Sequence, residues 1–339
     1  MKFLGFVDSA RVARTATVGA GLSAALCLSL TVAAQAAGPA APPTEAQLQA
    51  AWSQSISHTP PPAEGCFSAD YPRTTWTQVA CTTPPDRRYE PAHGASGYTV
   101  GNGNDYAAAV SGLISSSTGS FPTVKGVKAE KDGTVANEYS LQLNTQFFSS
   151  SPACKNAKVP ASCLAWQQFV FAEQGGTDSG GVLFMQYWLI DYVNACPSGW
   201  MKYSTDCYRN SSGVSVPAQT IKQLKYLTVS GTTVAGGVDT IALTTNGNAY
   251  STTGKDSVVD LANFWHGAEF NVVGDGDGSE ATFNAGPTID VQITVEDGTT
   301  TAPTCKADAG TTGETNNLTL GKCKATGGAT PAIKFSESN

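Results

Sequence analysis

The chain of 339 residues carries 20 Lys and Arg against 27 Asp and Glu, a net charge of −7, with a pI near 5.0. An acidic surface repels phosphate backbones, which excludes nucleic acid as a partner. The 41% hydrophobic content is enough for a packed core and too high for a disordered chain.

The first segment reads as a cleavable signal peptide. Lys2, Arg11 and Arg14 precede an apolar run from Val18 to Ala33 that ends in Ala34-Gln35-Ala36, and cleavage is expected near Ala36. The run is short and rich in Ala, Ser and Gly, below the roughly 20 strongly apolar residues of a spanning helix, so no membrane span is expected. Leu26 stands where a lipoprotein site before Cys27 would need a small residue. Removing 1–36 leaves 17 basic and 26 acidic residues, a charge of −9. The expected location is secreted, extracellular or periplasmic.

Nine cysteines become eight without Cys27, and an even count in an exported chain reads as a disulfide framework. They fall into four local couples: Cys66 with Cys81, Cys154 with Cys163, Cys196 with Cys207, and Cys305 with Cys323. Each couple closes a short loop, worth about 3 kcal/mol by loop entropy. The rival is metal ligation, but there is no C-x-x-C pair and no histidine near any couple, so no metal is expected.

Residues 37–101 are rich in Pro, Ala and Thr and read as a leader or pro-region, with a short helix near Thr44 to Ser55. Arg87-Arg88 offers a processing site, or simply two solvated arginines. From Asn104 onward, short Val, Ile, Thr, Tyr and Phe runs alternate with Gly, Asn, Asp and Ser. Strands are expected at Tyr139–Asn144, Leu164–Ala172, Val182–Asp191, Tyr226–Ser230, Thr240–Thr244, Ser257–Leu261, Glu269–Val273, Ala281–Asn284 and Ile289–Val295. The class is all-β, an antiparallel sandwich or barrel over 102–297, followed by a disulfide-closed extension over 298–339.

Two strands carry unusual polar residues. In LAWQQFVF the pleat must turn one of Gln167 and Gln168 inward and the other outward. Glu269 sits between Ala268 and Phe270, where an inward carboxyl would have its pKa raised and an outward one would be solvated.

In chain order, NDYAAAV, GSFPTV, EYSLQLN, LAWQQF, LFMQYWLIDY and HGAEFNVVGD resemble, strand by strand, the glutamic peptidases or eqolisins, of the scytalidoglutamic type, and more distantly the neprosins. The resemblance covers Asn104 to Val295. It departs at Phe169, where eqolisins have Gly, and at Asn271, which interrupts the apolar run after Glu269. It implies a concanavalin-like antiparallel β-sandwich of two curved sheets with Glu269 and Gln167 as a catalytic pair across the concave side, Gln168 being one residue off. The implied activity is acid-acting endopeptidase cleavage of a polypeptide substrate by a monomer without metal or cofactor. Trp166, Tyr187, Trp188 and Trp265 would line the cleft. Pro-regions in that family match the leader.

Other patterns weigh less. GTDSGG at Gly176 to Gly181 offers Ser179 as a nucleophile, but His58, His93 and His266 lack the setting of a serine-peptidase triad, and a Gly-rich hairpin loop is expected. GDGDGSE alternates Asp275, Asp277 and Ser279 as calcium loops do, yet has Glu280 where Gly is required and reads first as a surface turn. His266 is expected at the rim of the cleft. Trp188, Trp200, Tyr203 and Tyr208 either floor a sugar site or pack around the Cys196 staple. The second functional class is therefore a non-catalytic, lectin-like sandwich that binds polysaccharide or a cell-surface polymer. A glycosidase would need Glu269 paired with Asp191 or Glu173.

Overall fold

The computed structural model describes residues 42–92, 98–175, 180–307 and 310–339. The expected signal peptide, Cys27, His93 and Ser179 lie outside the described residues. Two large antiparallel sheets carry the fold. The back sheet runs, in spatial order, Thr77–Val79, Cys66–Asp70, Asn248–Lys255, Val238–Thr244, Thr228–Thr232, Ser116–Lys125, Thr288–Glu296, Ala332–Ser338 and Thr319–Leu320, with Lys324–Thr326 also on the Ala332 strand. The front sheet runs Met201–Tyr203, Asp206–Asn210, Gly181–Ile190, Leu164–Gln174, Glu138–Thr145, Gly267–Val273, Tyr106–Ala109 and Thr304–Ala307, with Val214–Val216 added along the Gly181 strand. A small third sheet joins Thr315–Asn316, Glu280–Phe283, Glu130–Asp132 and Val135–Ala136. The architecture is the all-β sandwich expected from the strand pattern.

The two large sheets differ in how their strands are written. In the back sheet, Ile289, Val291, Ile293 and Val295 point inward and alternate with polar residues that are less buried. In the front sheet, Glu138–Thr145 is buried at every position and Leu164–Gln174 at nearly every one. Such continuous burial requires cover on both faces. One face meets the back sheet: Leu141, Leu143, Phe169, Phe171, Met185 and Phe270 share a core with Phe121, Val229, Ile241 and Leu243. At Gly119 and Gly231 of the back sheet the layers come close enough that a Cβ would collide with the ring of Phe270 or Phe169.

The other face is covered by the segment expected as a leader. Tyr89 packs on Val170, Ala172, Val182 and Phe184, and Val100 joins Phe147, Trp166, Trp188 and Tyr208. Further upstream, the helix Glu45–Ser57 begins with a capping box between Thr44 and Gln47 and seats Trp52 and Ile56 against Phe67, Ala242 and Ala249 of the back sheet.

All four cysteine couples form disulfides as spaced. The tail contributes Thr304–Ala307 to the front sheet and Thr319–Leu320, Lys324–Thr326 and Ala332–Ser338 to the back sheet. Ser257–Leu261 is not a strand; it is split between the 3-10 turns Asp256–Val258 and Leu261–Asn263, with Asp260 between them in the left-handed region at φ 65°. Asn248–Lys255 escapes an apolar-run reading because NAYSTTGK holds its place through Thr, Ser and Tyr. No helix among the described residues is long and apolar enough to cross a membrane. The four disulfides fit an oxidising compartment.

Candidate active site

Register decides which way each polar side chain faces. Glu269 lies opposite Asn144, Asn144 opposite Gln168, and Gln168 opposite Gln186, across four adjacent front-sheet strands. These four side chains share the face turned away from the back sheet. Two strand spacings of about 4.8 Å put the Gln168 and Glu269 Cα atoms roughly 10 Å apart.

Gln167 belongs to the other face. Its neighbours in register are Tyr187 and, one step on, the inward Phe169 and Met185. Its Nε2 donates to Asp239 Oδ2 at 2.9 Å, inside the sandwich. The placement of Gln167 opposite Glu269 is therefore corrected: the amide on the face of Glu269 is Gln168, because one step along a strand inverts the side chain. Of the four aromatic residues expected to line a cleft, Trp166 and Trp188 are on the face of Glu269. Tyr187 points toward the back sheet, and Trp265 is buried against Phe169 with its Nε1 donating to Gly267 O.

The row is tightly hydrogen-bonded. Asn144 Nδ2 donates to Glu269 Oε2 at 2.6 Å, while Asn144 Oδ1 is buried without a partner. Gln168 Nε2 donates to Gln142 Oε1, and Trp188 Nε1 donates to Gln168 Oε1 at 3.1 Å. Gln142 in turn donates to Ser140 Oγ and to Glu314 Oε2. Glu314, which sequence patterning passed over, is fully buried, and burial pushes its carboxyl up to about 8 despite several donated hydrogen bonds. It lies in the tail loop TTGETNN, with no apolar strand around it to mark it in the sequence.

A strap of the chain's own backbone closes this face. Gln186 Oε1 accepts from Tyr89 N at 2.8 Å, and Gln186 Nε2 donates to Arg87 O at 3.0 Å. Tyr89 Oη donates to Asp275 Oδ1, Glu90 N donates to Glu314 Oε1, and Gly313 N donates to Glu90 O. Arg87 pairs with Glu138 at 2.6 Å and Asp275 at 2.9 Å, and Arg88 pairs with Asp277. The two arginines, each still partly exposed, are thus ion-paired to the body of the protein. The same contacts occupy Asp275 and Asp277 of GDGDGSE: the turn is exposed at Asp277, Gly278 and Glu280, but Asp275 is buried, with its carboxyl pushed up to about 7 chiefly by that burial. On this face Gln168 is 0% and Glu269 3% exposed.

The remaining expected groups do not assemble into a site. His266 is exposed, with Nδ1 at 2.7 Å from Gly112 O. His58 sits 3.5 Å from Glu296, on the back sheet. Glu173 faces the opposite side from Glu269, accepts from Gln219 N, and is pushed up to about 7 by burial. Asp191 is exposed beyond the end of its strand. Neither can form a paired-carboxylate glycosidase site with Glu269.

No protein-family model and no curated protein matches the chain. Two solved structures align with part of it. Scytalido-glutamic peptidase with a transition state analog inhibitor aligns at 12% identity and a TM-score of 0.28, covering 69% of this chain and 96% of that one. SCP-B, a member of the eqolisin family, in complex with the tripeptide Ala-Ile-His, aligns at 11% identity and 0.27, covering 68% and 96%.

Proposed function

We propose that the protein is a latent glutamic-type endopeptidase, secreted and acting on polypeptide, whose reacting pair is Glu269 and Gln168. The observation that carries the reading is the row Glu269–Asn144–Gln168 on one face of three adjacent strands, a carboxyl and an amide separated by a single side chain that bonds the carboxyl. Ionised Glu269 takes a proton from water as the water oxygen bonds to the scissile carbonyl carbon. Gln168 Nε2 donates to the resulting oxyanion. The proton held by Glu269 then passes to the leaving nitrogen as the C–N bond breaks. Asn144 fixes Glu269 through Nδ2, and its unpartnered Oδ1 can accept the second O–H of the same water. The strap from Arg87 to Glu90 bonds Gln186, the neighbour of Gln168 in the same row, so we read the chain as it stands as a closed form.

The test is cleavage of denatured casein between about pH 2 and pH 5, before and after limited proteolysis within 82–101. Activity is expected only after the strap is cut. Glu269→Gln should abolish it, and Gln168→Ala should lower kcat by about 10²- to 10³-fold, the cost of one oxyanion donor. Gln167→Ala, on the far face, should keep kcat. Cleavage insensitive to Glu269 and Gln168, or absent with the strap removed, rejects the reading and leaves a non-catalytic sandwich.

A further inference from the structure

A second cleft lies on the opposite side of the front sheet from Glu269, where the strand Gly181–Ile190 meets Asn248–Lys255 of the back sheet. It has a volume of about 590 Å³ and its lining includes Lys155, Arg209 and Lys255, with Glu64 as its one acid. Arg209 stands directly opposite Tyr187 in the strand pairing, so the two side chains share a face. Among the described residues none of the three cations makes an ion pair, although the chain as a whole is acidic. Three cations against one acid leave the lining with a net positive charge, which a bound anion would offset.

The floor gives a second, independent sign. Tyr187 is 1% exposed, and its hydroxyl has only the thioether of Met185 as a partner, at 3.8 Å. Sulfur is a weak acceptor, so a buried O–H is left with its donor nearly unused. Half-buried Trp200 forms part of the wall. The volume falls within the range of organic-ligand pockets and is far larger than an inorganic anion requires.

We infer that this cleft binds a hexuronate unit of an acidic polysaccharide, with the carboxylate on Arg209, the ring against Trp200 and a hydroxyl accepting from Tyr187. Planar guanidinium and carboxylate match in a bidentate pair. Lys155 and Lys255 are exposed and serve flanking carboxylates of the same chain. The inference is independent of the peptidase reading, since it uses the other face of the sheet.

Titration calorimetry of the full chain with tetragalacturonate, at low and at high salt, tests it. Saturable binding that weakens with salt is expected, at least about tenfold weaker in Arg209→Gln, the loss of one charge-assisted pair. Lys155→Ala with Lys255→Ala should reduce both affinity and salt dependence; these exposed positions keep the test valid should Arg209→Gln fold poorly. Lys334→Ala on the back sheet should change nothing. The inference is overturned by absent heat with tetragalacturonate, by equal binding of maltotetraose, by sulfate binding as tightly as the uronate, or by tighter binding of polyglutamate, which would assign the cleft to acidic polypeptide.

Discussion

Gln167 stabilises the buried carboxylate of Asp239, which burial still pushes up to about 7 despite this bond and that of Thr233. Gln167→Leu removes that donor and should destabilise the fold by about 1–3 kcal/mol. The loss should be larger at pH 8, where Asp239 is ionised, than at pH 5, where it is protonated. Urea melts at the two pH values check this; equal losses would mean that the amide acts through packing alone. The strand LAWQQFVF showed that its two glutamines must face apart, and the front-sheet register supplies what it could not. A strand buried on both faces gives no polar side by which to tell inward from outward, so Gln167 and Gln168 were equivalent in the sequence. Glu269 was legible because a carboxyl between Ala268 and Phe270 has few reasons to be there. Glu314 was not, because a loop reveals burial only when the chain folds over it.

The strap from Arg87 to Glu90 is held by both charges and backbone, and the sign of its pH response follows from the groups beneath it. Asp275 is raised to about 7 and Glu314 to about 8, in each case first by burial. If the undocked groups ionise near ordinary values, the docked state binds the extra protons, and docking strengthens as pH falls from about 8 to 5. Acid alone therefore does not release the strap, even though protonation of Asp275 gives up its ion pair with Arg87; opening requires a cut or displacement. Hydrogen exchange at the Tyr89 and Glu90 amides, corrected for intrinsic rate, should show greater protection at pH 5. Greater protection at pH 8 would instead make the strap an acid-released gate. The composition of 37–101 pointed to a leader, but its seating was hidden: Tyr89 and Val100 are isolated apolar residues whose partners lie on distant strands.

Across the whole molecule the buried acids set the pH at which the fold is firmest. Burial raises Glu130 to about 9 and Glu337 to about 8, in addition to Glu314, Asp275, Asp239 and Glu173. The native chain holds these protons after the unfolded chain has released its own near pH 4, so stability is full below that point and falls as pH rises through about 7 to 9. The thermal midpoint should be higher near pH 4.5 than near pH 8.5. The reverse order would show that the ion pairs of Arg87 and Arg88 outweigh the buried acids.

Gly119 and Gly231 act as two keyholes, each filled by one phenyl ring from the facing layer. Phe270 follows Glu269 and Phe169 follows Gln168, so the residues that key the layers together adjoin the pair proposed to react. Shifting either strand by one position would unseat its ring and turn the reactive side chain into the core in the same movement. Alignment of the two layers and orientation of the reacting groups are thus a single mechanical condition, and a chain that met one without the other would have nowhere to put a benzene ring.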